Sequence, residues 1–145
     1  MNKSYISLGE FNLDDLYSTL RDLELRRITA TDFRNEFASY LKLIRSQKFL
    51  LVVNHQKLIA TAIYSLIVTP SDSIPRVNAT EVRNHMAHYL SRAEDLDPLD
   101  PNAYTCVIKH NKERCIITPL SAGLEIIILS TIREREIPLI LNEKI

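Results

Sequence analysis

The segment RITATDFRNEFASYL at 27–41 returns as RVNATEVRNHMAHYL at 76–90, with eight of fifteen positions identical. The shared residues are Arg27/Arg76, Ala30/Ala79, Thr31/Thr80, Arg34/Arg83, Asn35/Asn84, Ala38/Ala87, Tyr40/Tyr89 and Leu41/Leu90. Ordinary residue frequencies give roughly one identity in such a window. Ile28/Val77, Asp32/Glu81 and Phe37/Met86 differ but keep their character. The likeness resumes where FLLVVNHQKLIATAIY (49–64) aligns with YTCVIKHNKERCIITP (104–119), sharing Val52/Val107, His55/His110 and Lys57/Lys112. The offset between copies grows from 49 to 55, so the second copy holds six additional residues. They fall in Asp95–Asn102, where two Asp-Pro pairs mark a loop, and a loop is where a duplicated unit tolerates insertion. A unit of about 40 residues cannot bury an apolar helix face alone, so a chain carrying it twice is expected to pack one copy against the other.

Within each copy the pattern predicts a short strand, a helix and a β-hairpin. Thr31 or Thr80 is expected as N-cap, with Asp32 or Glu81 in the first turn where a negative charge suits the helix dipole. Phe33, Phe37, Tyr40, Leu41 and Ile44 then share one helical stripe, matched by Val82, Met86, Tyr89, Leu90 and Ala93. Two apolar runs separated by Asn54–Lys57, or by His110–Glu113, read as hairpins. Leu13, Leu16, Tyr17, Leu20 and Leu23 have helical spacing within 12–26. The stretch 121–136 is helical in part of its pattern, but Ile126–Leu129 is apolar on every side and fits a strand equally. The expected class is α+β. Its divisions are an N-terminal helical extension (1–26), a first module (27–68), a linker (69–75), a second module (76–120), and a C-terminal helix and tail (121–145).

Eighteen basic and eighteen acidic side chains cancel. A polyanion partner would therefore have to be met by a local basic patch. No apolar run approaches the roughly 20 residues that span a bilayer, and the first residues lack a signal-peptide core, so a cytoplasmic protein without membrane association is expected. Cys106 and Cys115 are expected on one hairpin, opposite Ile117 and Ile108 respectively, as diagonal neighbours poorly placed for a disulfide.

The order ITATDFRNEFASYL … VVNHQKLIATAIY resembles the Phd/YefM antitoxin module. Arg34, His55, Lys57 and Ala60 match its pattern in the first copy; Thr80, Glu81, Arg83, His110, Lys112 and Pro119 match in the second. The resemblance spans 27–66 and 76–120. It implies two modules paired about a dyad into a continuous sheet with helices on one side, here as an intramolecular pseudo-dimer with flanking helices. It further implies binding of double-stranded operator DNA, transcriptional repression and a toxin protein as partner; assembly into a higher homo-oligomer through the terminal helices is left open by the sequence. The family's turn glycine is Gln56 or Asn111 here, and glutamine tolerates positive φ less well than asparagine, so the first hairpin is expected to turn differently.

By the resemblance Arg34 and Arg83 are the DNA contacts, since a guanidinium pairs bidentately with guanine or phosphate. A salt bridge to a neighbouring acid is the competing role. Thr31, Thr80, Asn35 and Asn84 accompany them, and Arg27 and Arg76 extend the patch over phosphates. His85 and His88 at i, i+3 have no counterpart in the first copy, where Glu36 and Ser39 stand, so no metal site or cofactor is expected. With two glycines and no nucleophile–base set at matching positions, no enzymatic role is expected. The alternative function is a protein-interaction scaffold that keeps the fold and has lost DNA binding, to which Glu36, the zero net charge and the apolar 126–129 stretch point.

Overall fold

The computed structural model describes residues 25–133 and 137–139. The helix expected over 12–26 lies outside the described residues as far as 24, and Arg26 itself opens a strand. The first copy forms β1 (Arg26–Thr29), α1 (Ala30–Asn35), α2 (Phe37–Gln47), β2 (Phe49–Asn54) and β3 (Lys57–Tyr64), followed by β4 (Val68–Pro70). The second forms β5 (Arg76–Asn78), α3 (Ala79–Asn84), α4 (Met86–Asp95), a 3-10 turn at Pro101–Ala103, β6 (Thr105–Lys109) and β7 (Lys112–Pro119). Then come α5 (Leu120–Arg133) and β8 (Ile137–Leu139). The class is α+β, and no helix among the described residues is long and apolar enough to cross a membrane.

Two details of the helices differ from expectation. Each helix is capped two residues early: Thr29 Oγ1 accepts from Asp32 N at 3.0 Å, and Asn78 Oδ1 from Thr80 N at 2.8 Å. Thr29 and Asn78 have the extended backbone that lets a short polar side chain turn back on the first free N–H groups, whereas Thr31 and Thr80 are already inside the helix. Each helix is also broken once, at Glu36 (φ −123°, ψ 38°) and at His85 (φ −126°, ψ 38°). The bend lets residues on both sides of it face the sheet. Phe33 and Phe37 are both buried, with rings edge-to-face at 5.1 Å.

Six strands form one sheet in the order β1-β2-β3-β7-β6-β5. Its pairing reads the same from either edge. Parallel β1–β2 aligns Ile28 with Val52, and parallel β5–β6 aligns Val77 with Val107. Both hairpins carry one extra residue, Ile59 in β3 and Arg114 in β7, at equivalent points. Both turn through two residues of positive φ, His55/Gln56 (52° and 63°) and His110/Asn111 (54° and 60°). The first hairpin therefore does not turn differently: the strand twist demands a two-residue turn of this hand, and Gln56 takes the conformation despite its side chain. The bulge also corrects the cysteine register. Cys106 faces Ile116 and Cys115 faces Val107, so the thiols lie on opposite faces of the sheet, both free and buried.

In the middle, antiparallel β3–β7 places Ala62 opposite Ile117, the same two positions that the repeat aligns. On one face α1–α4 cover a core of Phe33, Phe37, Leu41 and Ile44 with Val82, Met86, Tyr89 and Leu90, against Ile28, Val52, Ala62 and Ile117. On the other face Ile63, Cys106 and Ile116 pack with Ile74, Tyr104 and α5 residues Ala122 and Ile126. Helices thus lie on both sides of the sheet rather than one. The Ile126–Leu129 stretch is helix, and its apolar residues Ile126, Ile127 and Ile128 are buried. That removes one reason for seeing a partner surface there. The connection at 69–75 is itself part of the structure: β4 pairs in parallel with β8, and Ile74 is buried.

Candidate nucleic-acid interface

Sequence-matched residues converge around α1 and α3. These short helices lie side by side, so the first turn of each copy's helix pair meets the other copy. Arg34 lies in the last turn of α1 and Arg83 in the last turn of α3, both exposed. Arg34 Nε donates to the Oδ1 of its neighbour Asn35 at 3.2 Å. Among the described residues neither arginine pairs with a carboxylate, so no described ion pair occupies them.

Each arginine lines a shallow cleft built from both copies. Thr31, Arg34 and Asn54 of the first copy face Ala87 and Leu90 of α4 across a cleft of about 220 Å³. Thr80, Arg83 and Lys109 of the second face Ala38 and Leu41 of α2 across one of about 250 Å³. These residues correspond pair by pair under the repeat alignment, while Glu94 lines only the first cleft and His110 only the second. Thr31 and Thr80, though not caps, therefore sit beside the arginines with their side chains exposed. Asn35 and Asn84 are likewise exposed at the ends of α1 and α3.

Arg27 and Arg76 are placed elsewhere. In register with Leu51 and Cys106, they belong to the α5 face of the sheet, opposite to the face bearing Arg34 and Arg83. Arg27 is exposed. Arg76 is engaged internally: its Nη1 donates to the carbonyls of Ser71 (2.6 Å) and Ile74 (2.8 Å), and its Nε to Glu113 at 3.2 Å. A guanidinium with three protein partners holds the 71–74 connection against the second hairpin and has little left for a phosphate.

The helix breaks differ chemically between the copies. His85 Nδ1 lies 3.2 Å from Glu81, whose carboxylate also accepts from Tyr89 Oη at 3.1 Å. Burial, and then the Glu81 hydrogen bond, push the Tyr89 hydroxyl above its usual ionisation range. Tyr89 therefore packs through its ring and anchors the first turn of α3 through its hydroxyl. His88 stacks edge-on against Tyr89 at 5.0 Å. No group of three or more metal-ligating side chains occurs among the described residues.

What this surface can do is bind, using two exposed guanidiniums on one face, neither paired with a described carboxylate, with threonine and amide groups around them. Comparison with protein-family models, curated proteins and solved structures finds no match to this chain.

Proposed function

We propose that this chain is a DNA-binding transcriptional repressor of the antitoxin type, in which two Phd/YefM-like modules in one polypeptide act as a pseudo-dimer. The observation that carries the reading is the equivalent presentation of Arg34 and Arg83, exposed and without a described carboxylate partner, on adjacent helices of one face. A palindromic duplex presents two like half-sites to a binder with such symmetry. Joining the modules makes their pairing intramolecular, and so favours it by effective concentration. The two arginines contact phosphates or guanine edges on the half-sites, with Thr31, Thr80, Asn35 and Asn84 beside them on the backbone. Because the copies differ, the operator is an imperfect palindrome, and a toxin encoded beside this chain is its second partner.

The test is anisotropy with duplex DNA from upstream of the chain's own reading frame, titrated at several salt concentrations. The Arg34→Ala/Arg83→Ala variant is expected to bind more weakly. If both side chains meet phosphates, the logarithmic salt slope shrinks by about 1.8, at about 0.9 per contact. If they read bases, each loss costs about 1–3 kcal/mol at its position. No binding at low salt, or affinity and slope both unchanged in the variant, would falsify the reading.

A further inference from the structure

A cleft of about 520 Å³ lies between α2 of the first copy and the β6–β7 hairpin of the second. Five cationic side chains line it: Lys42, Arg45, Lys109, Lys112 and Arg114. Its one acid, Glu113, already holds Arg76 at 3.2 Å. None of the five makes an ion pair among the described residues. Arg114 is the extra residue of the second hairpin's bulge, a device that re-aims a side chain. The cleft continues into the one that holds Arg83, since Lys109 and His110 line both.

The equivalent surface on the other half carries one cation in place of five. Where the cleft has Lys42, Arg45, Lys109 and Arg114, the aligned positions hold Ser91, Glu94, Asn54 and Ile59. Only Lys112 has a cationic match, Lys57, and Lys57 lies 3.6 Å from Glu94. Five positive charges on one side thus face one compensated charge on the other. Arg114 Nε donates to the Lys109 carbonyl at 3.1 Å, a neutral partner that leaves its charge in place, and a chain with zero net charge that concentrates five cations without a described carboxylate partner in one cleft presents a strong local field there.

We propose that this cleft binds the sugar-phosphate backbone of duplex DNA on one side only, running outward from Arg83, so that the protein grips its two half-sites unequally. The proposal rests on the DNA reading above and deepens it. Sequence contacts stay nearly symmetric, while the phosphate grip belongs to the second hairpin and α2. A duplex is then held in one preferred orientation. Backbone phosphate is favoured over a compact free anion because the cations are strung along a cleft that opens into the Arg83 site.

The experiment measures the salt slope of binding to a duplex of arbitrary sequence, which needs no knowledge of an operator. Lys42, Arg45 and Lys112 are exposed, so Lys42→Ala/Arg45→Ala/Lys112→Ala removes charge without touching the core. Three lost phosphate contacts are expected to reduce the slope by about 2.7. Lys57→Ala, the mirror-position control, is expected to leave it unchanged. A milder variant, Lys42→Gln/Lys112→Gln, is expected to reduce it by about 1.8 and serves if the triple variant unfolds. If the slope stays at the wild-type value in both groove variants but falls in Arg34→Ala/Arg83→Ala, the cleft proposal is wrong and the arginine reading stands. If the reverse holds, the cleft stands and the arginines are not the contacts. Wild-type protein that binds no duplex at low salt overturns both, and in that case binding of inorganic tripolyphosphate would assign the cleft to a free polyanion instead.

Discussion

Gly123 brings the backbone of α5 close against the central strands of the sheet. A Cβ there would fall 2.0 Å from Thr61 Oγ1 and 2.6 Å from Thr118 Oγ1. Those two hydroxyls meet at 2.5 Å across β3–β7; Thr118 donates onward to the Pro119 carbonyl, so Thr61 is the donor to Thr118. Threonine is stiff at χ1 and cannot swing away. Gly123→Ala should therefore destabilise by about 1–3 kcal/mol in urea unfolding, and Thr61→Ala in the same chain should recover part of the loss. The thiols make a second prediction. Burial pushes Cys106 up to about 12 and Cys115 well above its ordinary value. In the unfolded chain both ionise near about pH 8.5, so the folded state holds more protons above that pH. Stability is then complete below about pH 8.5 and falls as pH rises toward the folded values, by up to about 1.4 kcal/mol per pH unit for each thiol. Tyr89, also raised, adds to the decline above its ordinary 10.0. Denaturant titrations from neutral to alkaline pH should show this slope, and Cys106→Ala/Cys115→Ala should retain only the tyrosine part. That the thiols are buried was legible in their apolar strands. That they face opposite sides was not, because a single bulged residue, Arg114, changes the side count and leaves no mark in the pattern.

Elements were legible where they depend on periodicity. The stripe of Phe33, Phe37, Leu41 and Ile44, with Val82, Met86, Leu90 and Ala93, is buried as its spacing implies. Both hairpins stand where the apolar runs placed them. The helix starts and the breaks at Glu36 and His85 depend instead on the φ and ψ of single residues, which spacing does not encode. Caps give a direct check: Thr29→Ala and Asn78→Ala should each cost about 1 kcal/mol, while Thr31→Ala and Thr80→Ala should cost far less. The turns give another. Gln56 holds φ 63° without being glycine or asparagine. Gln56→Gly should raise stability by about 1 kcal/mol, whereas Asn111→Gly should change it less, since asparagine already tolerates that conformation. Urea midpoints at constant m-value measure both. The 126–129 stretch was ambiguous for a different reason: α5 is apolar all round because most of its circumference is covered, and periodicity vanishes when both sides of a helix are buried.

At the scale of the whole molecule the six-stranded sheet is completed within one chain. Its unfolding midpoint should therefore not move when protein concentration changes by roughly a hundredfold, unlike that of a dimer held together by the same central strands. The repeat made the likeness of the two halves readable. Their difference is legible too, in charge: Lys42 stands against Ser91, Arg45 against Glu94 and Lys109 against Asn54, which makes one side basic. What no alignment could reveal is the layer on the far face, because α5 has no partner in the first copy. It rests on β3 and β7 together, with Gly123 against Thr61 and Thr118, beside the pair Ala62–Ile117 on which the strand register is centred. Two identical subunits would each bring such a helix to that centre, and only one can fit. A lone helix seated at the middle of the sheet gives the two halves unlike surroundings, and once it is seated the halves no longer have to remain alike.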